Sequence, residues 1–490
     1  MRDTERRSFL RNSGLAITAA ALGEPLAAAS AGAQTSEAAH AKGGAPVPSD
    51  ATHRLAQFIL STRYDDLPEA VRHEAKRTLL NWVGCAIGGS RDATVTNAIA
   101  ALAPFIGAPQ ASVLGRGERA DALNAALLNG ISSHVLDFDD THAENAIHPA
   151  APVAPAILAL AEYRPVSGRD LLGALLVGVE TECRIGNAVS PAHYDVGWHI
   201  TGTAGVFGAA AAAGKLLGLN EQQMTWALGL AAVQPVGLQE MFGSMTKSFH
   251  PGRAAQNGLT AAFLAGKGFT SSEHGLEARS GWVNAVSTER NYAALANPRW
   301  EILHNTYKPF ACGLVVHAVI DGCIQLRNQN HLTADMIERL DLDVHPRVMQ
   351  LTSIKEPKTG LEGKFSVYHA AAVAIVEGVA GEREFSDETV RAQPIAELRR
   401  RVFPKIDPTI GKEQARVAIT LKNRDRPSLF VEHAVGSLEK PMSDGQLEAK
   451  FRGLVEGILS PDETRRIIDL CWRADQLADA GEIARSARKA

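Results

Sequence analysis

Gly202 to Leu217 is so rich in Ala and Gly that, folded as a helix, it has to accept other helices at close range. Val71 to Trp82, Arg169 to Val189 and Ala254 to Lys267 also carry apolar residues at helical spacing, and Gly and Pro punctuate them as caps and turns. Each such helix has an apolar stripe that needs a cover. The pattern predicts a helical bundle over residues 51–300.

The texture then changes. Ile337 to Val344 alternates almost strictly between apolar and polar residues, which suits a half-buried strand. Ala415 to Leu421 and Leu429 to Ala434 alternate too, joined across Asn423 to Pro427 as a hairpin, and Ser366 to Glu377 has a helical pattern. Residues 301–442 are therefore expected to form a smaller α+β unit. From Gln446 to about Ile483 the helical period returns, so residues 443–490 should pack back on the first helical region. A chain of 490 residues exceeds one ordinary core, and two domains is the natural division.

The amino-terminal end follows a different logic. Glu5-Arg6-Arg7-Ser8-Phe9-Leu10-Arg11 is a twin-arginine pattern, Leu15 to Leu22 is mildly apolar, and Ala31-Gly32-Ala33 is a small-residue cleavage site. The apolar run is too short and Ala-rich to span a bilayer stably, so residues 1–33 read as an export signal for a periplasmic protein. Residues 34–50 read as an unstructured lead-in. The net charge of −4 points to neither nucleic acid nor an anionic membrane as partner. Five dispersed cysteines without Cys-x-x-Cys spacing exclude a zinc or iron–sulfur pattern and a disulfide framework, leaving room for one disulfide.

Ionisable groups concentrate between two apolar, helix-forming runs. Within Leu136 to Pro149 lie Asp137, Asp139, Asp140, Glu144, Thr141, His142 and His148. Burying so many without partners would cost several kcal/mol per charge, so the segment is either a solvated loop or the wall of a polar cavity. Its flanks, Ala125 to Leu128 and Val153 to Leu160, favour the cavity.

Four further clusters accompany it. Gly197-Trp198-His199 precedes the first turn of a helix, where an imidazole beside free amides suits an anion or a proton transfer, although a lone histidine is more often structural. Lys247, His250 and Arg253 open another small-residue helix and form either a carboxylate site or a solvated loop. Lys308 falls near the expected domain boundary, ahead of Cys312, read as packing, and His317. Lys364 to His369 includes Tyr368, which is either core or a phenol donor to substrate. Such cations suit a di- or tricarboxylate, or proton abstraction α to a carboxylate, whose dianionic intermediate needs positive charge around it. Neither Gly-x-Ser-x-Gly nor a dinucleotide Gly-x-Gly-x-x-Gly after a strand is present.

Asn129-Gly130, His134, Asp137 to Thr141, His148-Pro149, Gly197 to His199, Lys247 with His250 to Arg253, Lys308-Pro309 with Cys312 and His317, and Lys364 to Tyr368 follow one another in a distinctive order. In these motifs the chain resembles the MmgE/PrpD family, which includes 2-methylcitrate dehydratase, cis-aconitate decarboxylase and iminodisuccinate epimerase. The resemblance runs from about Ala51 to the carboxyl end. It implies a mainly α fold, with a large all-helical domain completed by carboxyl-terminal helices and an inserted smaller α+β lid domain. It further implies a homodimer, with a site free of cofactor and metal in the cleft between the domains.

Matched by motif, the family's pocket falls on Asp137, Thr141, His148, His199, Lys247, Lys308 and Tyr368, with His250, Arg253 and His317 as further substrate-binding candidates. One departure matters. In the decarboxylase branch a histidine stands five residues after the lysine of the Lys-Pro-like motif, and here that position is Gly313. The His317 that follows resembles the dehydratase pattern. The resemblance thus implies first a carbon–oxygen lyase that dehydrates a 2-methylcitrate-like hydroxy-tricarboxylate. His199 or His148 would act as base or acid, Asp137 would orient an imidazole, Lys247 and Lys308 would hold carboxylates, and Thr141 and Tyr368 would position the hydroxyl. Epimerisation or decarboxylation of a small di- or tricarboxylate is the alternative, and binding without turnover a third.

Overall fold

The computed structural model describes residues 49–489, so the export signal expected at 1–33 and nearly all of the lead-in lie outside the described residues. The helical runs fold as their patterns predict. They form α1 (Glu69–Gly89), α2 (Ala122–Val135), α3 (Ala150–Tyr163), α4 (Gly168–Val189), α5 (Ile200–Leu217) and α6 (Thr246–Gly266). Helix starts are capped locally: the Asp121 side chain accepts from Asn124 N–H ahead of α2, and Ser167 from Asp170 N–H ahead of α4. Gly218 ends α5 in the left-handed conformation, which costs glycine no Cβ clash.

Helix α5 is buried on every side from Ile200 to Gly214, as expected of a helix without a polar face, and α3, α4 and α6 pack around it. A close helix crossing joins α2 to α6. A Cβ on Gly130 would stand 2.5 Å from Gly252 Cα, and one on Gly252 would stand 2.5 Å from the Leu127 carbonyl oxygen. Two glycines facing each other let the backbones touch, and this contact fixes how the end of α2 meets the start of α6.

The later segment brings α7 (His317–Asn330), β1 (Ile337–Val344), α8 (Val367–Glu377), β2 (Val402–Ile406), β3 (Ala415–Leu421) and β4 (Ser428–Val431). The sheet order is β2–β1–β3–β4, with β1 and β2 parallel and the other pairs antiparallel. Ile337 and Leu340 have opposite parity yet are both buried, and a register shift between Ile337 and Arg339 turns both inward. Helices α7 and α8 pack against the sheet. The last strand stops at Val431 rather than at Ala434, because the chain leaves the sheet for α7, where Val435 N–H donates to Asp321.

Helix α9 (Asp444–Val455) and two further helices, Pro461–Trp472 and Gly481–Ser486, follow, and α9 lies along α1 with Phe451 against Gly84. One apolar core runs from Leu79 of α1 through Leu340 of the sheet to Phe451. All five cysteines are buried free thiols, so the disulfide that the composition allowed does not form.

Candidate functional site

The segment after α2 begins with an unusual backbone. Asp137 has φ 49°, in the left-handed region that aspartate tolerates better than most side chains. Three lysines from distant parts of the chain hold the three successive carbonyls of this turn. Lys364 Nζ donates to Leu136 O at 2.7 Å, Lys308 Nζ to Asp137 O at 3.0 Å, and Lys450 Nζ to Phe138 O at 2.6 Å. These carbonyls continue the negative end of α2, so ammonium donors both satisfy them and offset its dipole. Burial pulls the pKa of Lys364 and of Lys450 down to about 8, although about 10.5 is usual.

The Asp137 carboxylate is itself clamped by two ammoniums. Its Oδ1 accepts from Lys247 Nζ at 2.6 Å and from Lys308 Nζ at 3.0 Å. Burial works to raise the pKa of Asp137, but Lys247 and Lys308 outweigh it and hold the group well below the ordinary carboxylate range. Lys308 reaches this point because Thr141–His142 pairs antiparallel with Asn305–Thr306, and Thr306 Oγ1 donates to Thr141 O at 2.6 Å. Asp140 anchors the same corner, accepting from Asn305 Nδ2 at 2.7 Å and Ala150 N–H at 3.2 Å. Burial, and then the charge of Asp139, raise the Asp140 pKa to about 7.

The imidazoles form a second layer. Asp139 lies between two of them, with Oδ2 2.7 Å from His134 Nδ1 and Oδ1 3.2 Å from His148 Nδ1. A lone pair on His148 Nδ1 would face this carboxylate, so the proton belongs on Nδ1, which Thr141 Oγ1 also accepts at 3.4 Å. His148 Nε2 is then an acceptor, 4.0 Å from Asp137 Oδ1. His199, at the start of α5, is fixed by its N–H donating to Gly237 O, and its Nδ1 lies 2.9 Å from His250 Nδ1. Burial keeps His134, His148 and His199 below the usual histidine pKa, His134 at about 4, so all three rings are neutral near pH 7.

These groups border a cavity of about 1050 Å³, mouth included. Of the residues expected from the sequence, Asp137, Thr141, His148, His199, Lys247 and Lys308 line it. His250 stands one ring behind, through its contact with His199. The remaining candidates turn elsewhere. His317 is buried against Phe310 and 3.4 Å from Cys312 O. Arg253 is exposed and bonds Gln256, its neighbour one turn along α6. Tyr368 is half-buried against the apolar core and is not part of the cavity wall. Glu144 sits exposed at the mouth, held by Arg299 at 2.6 Å.

Sequence reading passed over His134 and Asp139, which stand in the motif but not among its chosen residues, and also Lys450. Only Lys450 lacked a local signal, since it acts 312 residues from its partner Phe138. Phe242 and Phe365 were missed too. Their rings lie 5.8 and 5.7 Å from Lys247 Nζ and give that ammonium an apolar wall with π character. Among the described residues, two groups of side chains are spaced to hold a metal ion: His134, His148 and His199, and Asp137, Asp139 and His148. In the second group, Asp137 is already taken by two ammoniums.

Residues 53–295 match the MmgE/PrpD N-terminal domain and residues 310–474 the MmgE/PrpD C-terminal domain. Similar proteins include cis-aconitate decarboxylase of Aspergillus terreus, 26% identical over 466 residues that cover 88% of this chain and 94% of the relative. The cis-aconitate decarboxylase of Homo sapiens is 28% identical over 457 residues, covering 88% and 93%, and that of Mus musculus is 27% identical over 457, covering 89% and 92%. The matches run through the clamped aspartate, the paired imidazoles and the sheet-bearing segment alike, and the chain belongs to the MmgE/PrpD family.

Proposed function

We propose that the chain is a lyase acting on a small tricarboxylate, removing carbon dioxide from an unsaturated acid of the cis-aconitate class. The observation that carries this reading is the pairing of two neutral imidazoles, His148 and His199, with two ammoniums that share the single carboxylate of Asp137. Each ammonium has three N–H groups, and those not given to Asp137 can bind substrate carboxylates. A polyanion entering the cavity favours protonation of a neighbouring imidazole, which supplies the acid. The carbon–carbon bond to the departing carboxylate then breaks, its electron pair shifts through the conjugated alkene, and the imidazolium N–H delivers a proton to carbon. Lys247 and Lys308 stabilise the charge that develops.

Dehydration of a hydroxy-tricarboxylate is the second reading, and Gly313 favours it, since it lines the cavity at the position where the decarboxylase branch carries a histidine. The same imidazoles would then take the α-proton and protonate the leaving hydroxyl. NMR of chelator-treated protein with cis-aconitate, citrate, 2-methylcitrate and iminodisuccinate separates the cases. Labelled carbon dioxide from cis-aconitate is the expected result. A conjugated alkene from a hydroxy-acid without carbon dioxide would replace decarboxylation by dehydration, and solvent deuterium at the α-carbon without elimination would replace it by epimerisation. No turnover of any of the four would remove the lyase reading. We further propose that the enzyme is a periplasmic homodimer, which sedimentation and cell fractionation test.

A further inference from the structure

We propose that His134, His148 and His199 form a binding site for a zinc-class divalent cation. One ring nitrogen of each lies within 4.8 Å of one from each of the others, and all three rings are buried. Ring centroids are 4.6 Å apart for His134 and His148, 5.8 Å for His134 and His199, and 6.4 Å for His148 and His199.

In each ring Nδ1 is already engaged. His134 and His148 present theirs to the two oxygens of Asp139, and His199 presents its own to His250 Nδ1. Nε2 is thus the nitrogen that each ring has left for a ligand. His134 Nε2 is buried without any hydrogen-bond partner, which neither packing nor the acid–base chemistry explains. A carboxylate or a second imidazole behind each ligating imidazole is the arrangement that orients histidines for metals and strengthens them as ligands. Three imidazoles suit zinc, copper or nickel rather than magnesium or calcium, which prefer oxygen. The ammoniums of Lys247 and Lys308 lie beside the carboxylates of Asp137 and Asp139, and those of Lys364 and Lys450 are turned onto backbone carbonyls.

A bound cation takes the Nε2 lone pairs of His148 and His199. If those imidazoles move protons as proposed above, metal and turnover exclude each other, and this consequence alone rests on that reading. The binding itself is tested without any substrate. Zinc titrated into dialysed full-length protein by calorimetry should bind one ion per chain and raise Tm, and cobalt should give the visible absorption of a tetrahedral nitrogen site. His134→Gln should weaken zinc binding at least tenfold, and Asp139→Asn, which acts only through the ligands, about tenfold. If His134→Gln does not fold, X-ray absorption of the zinc-loaded wild type decides, with three imidazoles in the coordination sphere as the expected result. Absence of saturable zinc binding, unchanged affinity in the folded His134→Gln variant, or a coordination sphere without imidazole would overturn the proposal.

Discussion

Substituting Ala for Gly130 sets two effects of opposite sign against each other. In a helix interior alanine is favoured over glycine by about 1 kcal/mol, through backbone entropy. At this position the new Cβ would stand 2.5 Å from Gly252 Cα and 3.0 Å from Gly252 N. Ordinary carbon contacts need about 3.5 Å or more, and both obstacles are backbone that no rotamer change can move. The helices must separate by on the order of 1 Å, and overpacking of this kind typically costs about 1–3 kcal/mol or more. The steric term should win, leaving Gly130→Ala less stable by about 1–2 kcal/mol in urea or thermal unfolding.

The same separation acts on the site, because Lys247 lies five residues before Gly252 and Asp137 seven after Gly130. The 2.6 Å bond between Lys247 and Asp137 spans this crossing. A misplacement of about 1 Å can cost roughly a hundredfold in rate, so turnover should fall more than stability does. Gly453→Ala is the internal control. Gly453 is an exposed residue of α9 with nothing within 4 Å of its added Cβ, so this variant should be neutral or stabilised by up to about 1 kcal/mol. A Gly130→Ala protein as stable and as active as the wild type would refute the claim that this crossing sets the site.

Three further outcomes are expected. Lys450→Met removes the donor to Phe138 O and Asn81 Oδ1, and should cost about 1–3 kcal/mol in unfolding together with a loss of turnover. Acid should destabilise the protein early: burial holds His134, His193, His250 and His369 at about 4 when folded, so between about pH 6.5 and 4 the unfolded chain binds more protons. Stability should therefore fall with decreasing pH by up to about 1.4 kcal/mol per unit per histidine, which unfolding curves at stepped pH would detect. Replacing Arg6 and Arg7 by lysine should keep the protein in the cytoplasmic fraction, and undiminished export of that variant would remove the twin-arginine reading.

Much of the site was legible because it is built from short motifs. Asp137 and Thr141 of the acidic run, the two imidazoles that line the cavity and the two clamping lysines could all be picked out one by one. Angular position explains part of what was not. Lys247 and Arg253 share α6 but are six residues apart, which at about 100° per residue puts Arg253 on a different face from Lys247 and in solvent. His250, three residues from Lys247, stays near the cavity side and touches His199. Tyr368 illustrates the other difficulty, since a polar residue at the start of a helix has the same local signature whether it meets a cavity or a core.

Periodicity by itself determined which stretches are helix and which are strand, because one buried face imposes a repeat of 3.6 or 2 residues on any chain. The cost of burying unpaired charge likewise required partners for the run from Asp137 to His148 if it was to be buried. Which partners it has was decided by tertiary structure. Lys247, Lys308, Lys364 and Lys450 come from four separate segments and meet on one turn only because α2 and α6 touch at paired glycines and α9 lies along α1. Such charges attract over a few ångströms, and the chain reaches those distances only after apolar packing has brought the segments together.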